Sequence, residues 1–193
     1  MTEATVSTAT RAEIDQCVSL LALAFSTDPA ARWVYKDPHA YVEHFPRFIR
    51  AFGCAAFDYD TAHHVDGCAT ALWIPPGEAP NEDALVAVIE ESIPRAEQAE
   101  VFELFEEMGQ NHPDEPHWYL PLIGSDPAQQ GRGHGSALLK HALALSDAQK
   151  RLAYLEATSA RNVALYERHG FVATGEVRVG TCPLITPMVR QPR

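Results

Sequence analysis

The chain has no run of about 18 apolar residues, the length a membrane-spanning helix needs. Its start shows no basic stretch followed by an apolar one, so no export signal is expected there. C-x-x-C pairs are missing too. Cys17, Cys54, Cys68 and Cys182 are scattered, which argues against zinc and fits a reducing compartment. His63 and His64 are adjacent and would face opposite sides of a strand, and His112 and His117 make no better ligand set, so no metal is expected. Positive charge is also short: Lys and Arg total 15 against 26 Asp and Glu, a net charge of −11. That sign is wrong for binding a phosphate backbone. It suits a cationic amine, although solubility alone accounts for many acidic proteins. The expected setting is cytoplasmic, with neither nucleic acid nor membrane as partner. Repeats and low-complexity tracts are absent, and 193 residues at 46% hydrophobic suffice for one core. A single domain over 1–193 is expected.

What is present is concentrated in residues 123–136, Ile-Gly-Ser-Asp-Pro-Ala-Gln-Gln-Gly-Arg-Gly-His-Gly-Ser. An apolar strand ends, a turn follows, and Gly131, Gly133 and Gly135 lead into a helix with no acidic residue among them. Glycines let successive backbone N–H groups converge on one concavity. The helix start adds unpaired donors and roughly half a positive charge. Such a place favours a diphosphate. A nucleotide-triphosphate loop would need Gly-Lys before Ser136, which is not there, and the dinucleotide pattern G-x-G-x-x-G fails from both Gly131 and Gly133. The pattern Q-x-x-G-x-G fits, as Gln130, Gly133 and Gly135, and resembles the pyrophosphate loop of the GNAT superfamily of N-acetyltransferases.

The segment after the loop extends the resemblance. An amphipathic helix over 136–149 carries Leu138, Leu139, Ala142, Leu143 and Leu145, and a strand is expected over 152–158. A short helix then bears Asn162 and Tyr166, four apart and on one face, before Gly170 ends it as a C-cap. Residues 154–171 look like the second signature of the same superfamily. The resemblance is firm over 115–193, with 1–114 as scaffold and acceptor-side wall. It implies an α/β (α+β) fold with a mixed, mostly antiparallel sheet of six to seven strands, flanked by helices and splayed between the fourth and fifth strands. It also implies acetyl-CoA as co-substrate. The amides of Ile123, Gly124 and Ser125 would face its pantetheine, with Asn162 on the same arm or the adjacent phosphates. Gln130, Gly131, Arg132, Gly133, His134, Gly135 and Ser136 would surround its diphosphate, and Tyr166 would lie near its sulfur. Relatives of this type carry a β-branched apolar residue where Ser125 stands, so that wall is more polar here.

Physical chemistry assigns the roles. A thioester attacked by an amine develops an oxyanion, which backbone N–H groups steady, and then expels a thiolate that a phenol can protonate. Tyr166 is the expected general acid. In the strand over 117–123, His117, Tyr119, Pro121 and Ile123 are expected on one face, opposite Trp118, Leu120 and Leu122. Pro121 donates no ladder bond and belongs at an edge or a bulge; its presence fits a strand pair that opens for the pantetheine. Glu156, on the face of Tyr154 and Thr158, is the candidate base, with His117, Tyr119 or an ordered water as alternatives.

The first half reads as scaffold. Thr10 and Glu13 form a capping box before a helix bearing Ile14, Cys17, Val18, Leu21 and Phe25, which Asp28-Pro29 ends. An aromatic helix over 40–53 follows, with Phe45, Phe48 and Phe52 as core or acceptor-pocket residues. Short strands are expected over 55–59 and 61–65, joined by an Asp58-Tyr59-Asp60 turn, then a strand over 67–74. Helical stretches over 81–111 form an insertion able to cap the acceptor site. Two strands, 171–179 and 184–190, close the sheet. The expectation is an N-acetyltransferase acting on a small-molecule or peptide primary amine by direct attack in a ternary complex. The alternative is a non-enzymatic acyl-CoA sensor on the same fold. A homodimer is compatible with either.

Overall fold

A computed structural model describes residues 4–193. In chain order it contains β1 (Ser7–Thr8), α1 (Ile14–Ala24), α2 (Pro29–Val34), α3 (Pro38–Gly53), β2 (Ala62–Val65), β3 (Ala69–Ile74) and α4 (Glu82–Ser92). It continues with α5 (Arg95–Gln110), β4 (Trp118–Ser125), α6 (His134–Ala148), β5 (Ala153–Ala157), α7 (Ala160–Arg168), β6 (Val172–Ala173) and β7 (Thr186–Arg190). The seven strands form one sheet in the order β1-β2-β3-β4-β5-β7-β6. Only β4 and β5 pair in parallel, and only at Trp118↔Ala153 and Tyr119↔Tyr154. Beyond Tyr119 the two strands part, as the expected splay requires.

Pro121 sits at that parting. On the other side of β4, Leu72 pairs with Leu122 but Ile74 pairs with Tyr119, so β4 carries one extra residue between them. This is a β-bulge, one of the few places where a strand tolerates proline. The bulge reverses the pleat. Tyr119 and Leu122 share the face packed by α1, α3 and α4, whereas Trp118, Leu120 and Ile123 pack on the α6 side. The strict alternation expected through 117–123 therefore holds only up to the bulge. On β5 it holds as expected: Tyr154 joins the first face, and Ala153, Leu155 and Ala157 join the second.

Three Asp-Pro pairs organise turns. Asp28, Asp37 and Asp126 each accept backbone N–H bonds, and the following proline takes the first helical position, where its missing donor costs nothing. Asp28-Pro29 thus begins α2 as well as following α1, and Asp37 starts the aromatic helix two residues earlier than its apolar spacing suggests. Residues 55–59 are not a strand. A short 3-10 turn, Cys54–Asp58, occupies them, and the hairpin joins β2 to β3 instead, through Asp66 and Gly67, both at positive φ (39° and 66°). β1, unforeseen in the sequence, pairs with β2. The 171–179 strand shrinks to β6 plus one bridge, Val177↔Ile185. Among the described residues no helix is long and apolar enough to cross a membrane.

Gly124 shows how closely α1 lies on β4: a Cβ there would sit 2.6 Å from the Ala24 Cβ. Gly124→Val is therefore expected to destabilise by about 1–3 kcal/mol through overpacking, read as a lower urea midpoint. An unchanged midpoint would show that the helix yields.

Candidate active site

Where β4 and β5 part, a cavity of about 530 Å³ opens between β4, the glycine turn and α7. The first helical hydrogen bond of α6 runs from the Ala137 N–H to Gly133. The amides of Gly133, His134, Gly135 and Ser136 consequently have no helical acceptor. Gly131 and Gly133 take φ of +78° and +89°, with open space around both, so backbone conformation rather than room demands glycine there. Both imidazole nitrogens of His134 are buried without a partner. Unpaired amides at a helix start and an orphaned imidazole fit a diphosphate-bearing ligand such as coenzyme A.

Each sequence-derived residue can now be placed. Ile123, Gly124, Ser125, Gln130, Gly131, Gly133, His134, Gly135, Ser136, Asn162 and Tyr166 all line this cavity. Arg132 does not. It is exposed, and the cavity cations are Arg161 and Arg168 from α7, with Arg161 3.4 Å from Gln130 Oε1. Tyr166 is buried, and burial, with the Asp28 carboxylate adding to it, pushes its phenol above the ordinary range. It stays protonated at neutral pH.

Glu156 lies elsewhere, in a smaller pocket of about 80 Å³ on the other face of the sheet, lined by Phe25, Phe45, Phe48, Phe52 and Phe105 among others. Its side chain is 4% exposed, with Oε1 3.2 Å from His112 Nε2. His112 Nδ1 is 3.1 Å from His117 Nε2, and His117 Nδ1 is 2.8 Å from the Glu115 carbonyl. A carbonyl only accepts, so His117 Nδ1 carries its proton. Burial holds His117 below its usual range, and when neutral its Nε2 must accept from His112 Nδ1. His112 Nε2 then faces the Glu156 carboxyl, whose buried Oε1 has no hydrogen-bond partner. Tyr119 and Tyr154 pack around the pair, and burial, reinforced by the Glu156 charge, raises both phenols.

Asp28 belongs to both cavities. Its Oδ1 accepts from the Ala30 and Ala31 amides at 3.0 Å, and its Oδ2 accepts from the Thr158 hydroxyl at 2.5 Å. Burial pushes its carboxyl above the usual carboxylate range, with these donors pulling the other way. Sequence reasoning passed over Asp28 because Asp-Pro reads as helix punctuation; only the fold brings it to Thr158. His112 was weighed only as a metal ligand. Among the described residues no cluster of metal-ligating side chains occurs.

Comparison with known proteins agrees with this geometry. Residues 83–173 match the acetyltransferase (GNAT) domain. A solved structure described as histone acetyltransferase HPA2 and related acetyltransferase, from Corynebacterium glutamicum, is 28% identical with a TM-score of 0.68, and the match covers 100% of this chain and 98% of that one. A polyamine N-acetyltransferase from Drosophila melanogaster superposes with a TM-score of 0.68 at 13% identity, over 97% of this chain and 99% of that one. Arylalkylamine N-acetyltransferase 2 from Aedes aegypti gives 0.69 at 13% identity, over 100% of both. The last two show likeness of fold alone. Residues 83–173 thus match a GNAT acetyltransferase domain, and the whole chain shares its fold with the acetyltransferase structure 28% identical to it. Acetyl transfer is the chemistry that this family and fold support.

Proposed function

We propose that the protein is an acetyl-CoA-dependent N-acetyltransferase acting on a primary amine in a ternary complex. One observation carries this reading: the parted β4 edge, the unpaired amides of the glycine turn and the buried Tyr166 phenol line a single cavity. Acetyl-CoA supplies the thioester whose acetyl group is transferred. The amides of 133–136, with Arg161 and Arg168 at the rim, hold its diphosphate, while Asn162 and the backbone of Ile123 and Gly124 hold the pantetheine. The incoming ammonium gives one proton to Glu156, from which His112 and His117 lead outward. The free amine attacks the acetyl carbon, the C–S bond breaks, and Tyr166 protonates the departing sulfur. The second amine proton then restores the phenol. No cysteine or serine is needed as an acyl carrier.

The alternative of a non-enzymatic acyl-CoA sensor shares every cofactor feature. The carboxylate-bearing pocket beside the first cavity favours the enzyme, because a sensor has no use for it. Calorimetry with acetyl-CoA is expected to show saturable 1:1 binding. With an amine present, thiol release should follow. Absence of binding by folded protein overturns the proposal, and binding without turnover on any amine returns the sensor reading.

A further inference from the structure

Resting on that reading, we infer that the acceptor is a monoamine with a compact apolar body, its ammonium held by Asp28 and Glu156 and its hydrocarbon seated among Phe45, Phe48 and Phe105. The two cavities share Phe25 and Asp28, so a group bound in the smaller one reaches the place where the acetyl group arrives. Among the residues lining the smaller pocket, the groups able to carry charge near neutrality are the carboxyls of Asp28 and Glu156; the remainder are almost all hydrocarbon. Asp28 uses its outer oxygen on Thr158, and Glu156 faces His112 on one side. Both thus place carboxyl oxygens in an apolar enclosure, where an ammonium is the fitting partner, its charge favouring the ionised carboxyls, and aromatic faces add cation–π attraction.

The same lining discriminates. No Lys or Arg lines the pocket, so the carboxylate of an amino acid would be buried without a partner. The far end of a diamine or polyamine would meet Phe105, Leu104 and Met108 of α5, where no carboxylate waits. Size sets the body. A cavity of 150 Å³ accommodates benzene, so about 80 Å³ corresponds on that scale to roughly three or four carbons. A short branched chain fits nearly as it stands, and one ring fits only if the α5 wall yields enough to almost double that volume.

The test is a thiol-release panel with acetyl-CoA and isoamylamine, 2-phenylethylamine, agmatine, spermidine and leucine, run beside calorimetry with acetyl-CoA alone. Isoamylamine and 2-phenylethylamine are expected to exceed the other three by at least about 10-fold in kcat/KM. Asp28→Asn keeps a capping side chain and should raise KM for the preferred amine about 10-fold, with acetyl-CoA affinity unchanged. If acetyl-CoA binds but agmatine, spermidine or leucine is preferred, or no amine reacts, the acceptor inference is overturned. Loss of acetyl-CoA binding removes the underlying reading with it. The wild-type ranking decides even if Asp28→Asn does not fold.

Discussion

Tyr166→Phe is expected to lower kcat about 100-fold or more, the usual worth of a positioned acid, while the Kd for acetyl-CoA moves less than about twofold. The ring itself is structural. It packs edge-on to Phe171 with centroids 6.0 Å apart, inside the cluster built from Leu138, Leu139 and Trp118. Phe preserves that packing and deletes only the hydroxyl. A merely structural tyrosine would leave kcat intact, and wild-type turnover in the variant removes Tyr166 from the chemistry. The phenol's raised range has a second consequence. Its protonated form persists through neutral pH and above, so the activity of the wild type should show no alkaline loss assignable to Tyr166 below about pH 10. A loss of kcat centred near pH 8 and abolished in Tyr166→Phe would contradict this.

The glycine turn and the Asn162/Tyr166 pair were legible in the sequence because their geometry is local. A run of glycines before a helix and a four-residue spacing specify backbone and face without reference to the rest of the fold. Asp28 and His112 were not legible as site residues. Each reaches its place through contacts across the chain: Asp28 meets Thr158, 130 residues away, and His112, in the connection after α5, meets Glu156 on β5. Arg161 and Arg168 were hidden for a related reason. The exposed arginine inside the motif, Arg132, stands out in the sequence, whereas the arginines that line the cavity come from α7. Pro121 was half legible. Proline announces a bulge, but only the pairing of Leu72 with Leu122 and Ile74 with Tyr119 shows that the bulge reverses the faces of β4. That reversal sends Ile123 towards the larger cavity and Leu122 to the smaller one.

Acidification is expected to destabilise the fold through His63. The side chain is 2% exposed on β2, its ring edge-on to His141 at 4.6 Å, and neither of its nitrogens has a partner. Burial, aided by repulsion from His141 and His64, holds it down to about 4, against 6.5 for an ordinary histidine. Its folded range lies below its unfolded one, so above about pH 7 both states are neutral and the group contributes nothing. Between pH 6.5 and 4 the unfolded chain gains a proton that the folded chain refuses, and stability falls. By pH 5 the loss amounts to about 2 kcal/mol, or roughly 4–8 °C in Tm for a chain of this size. His63→Leu removes the titrating group and two unsatisfied buried nitrogens together. The variant should therefore match or exceed wild-type stability at pH 7.5, and its Tm should fall less on going to pH 5. Parallel Tm–pH profiles for the two proteins would show that His63 takes up its proton in the folded state as readily as in the unfolded one, through a rearrangement of the contact between β2 and α6.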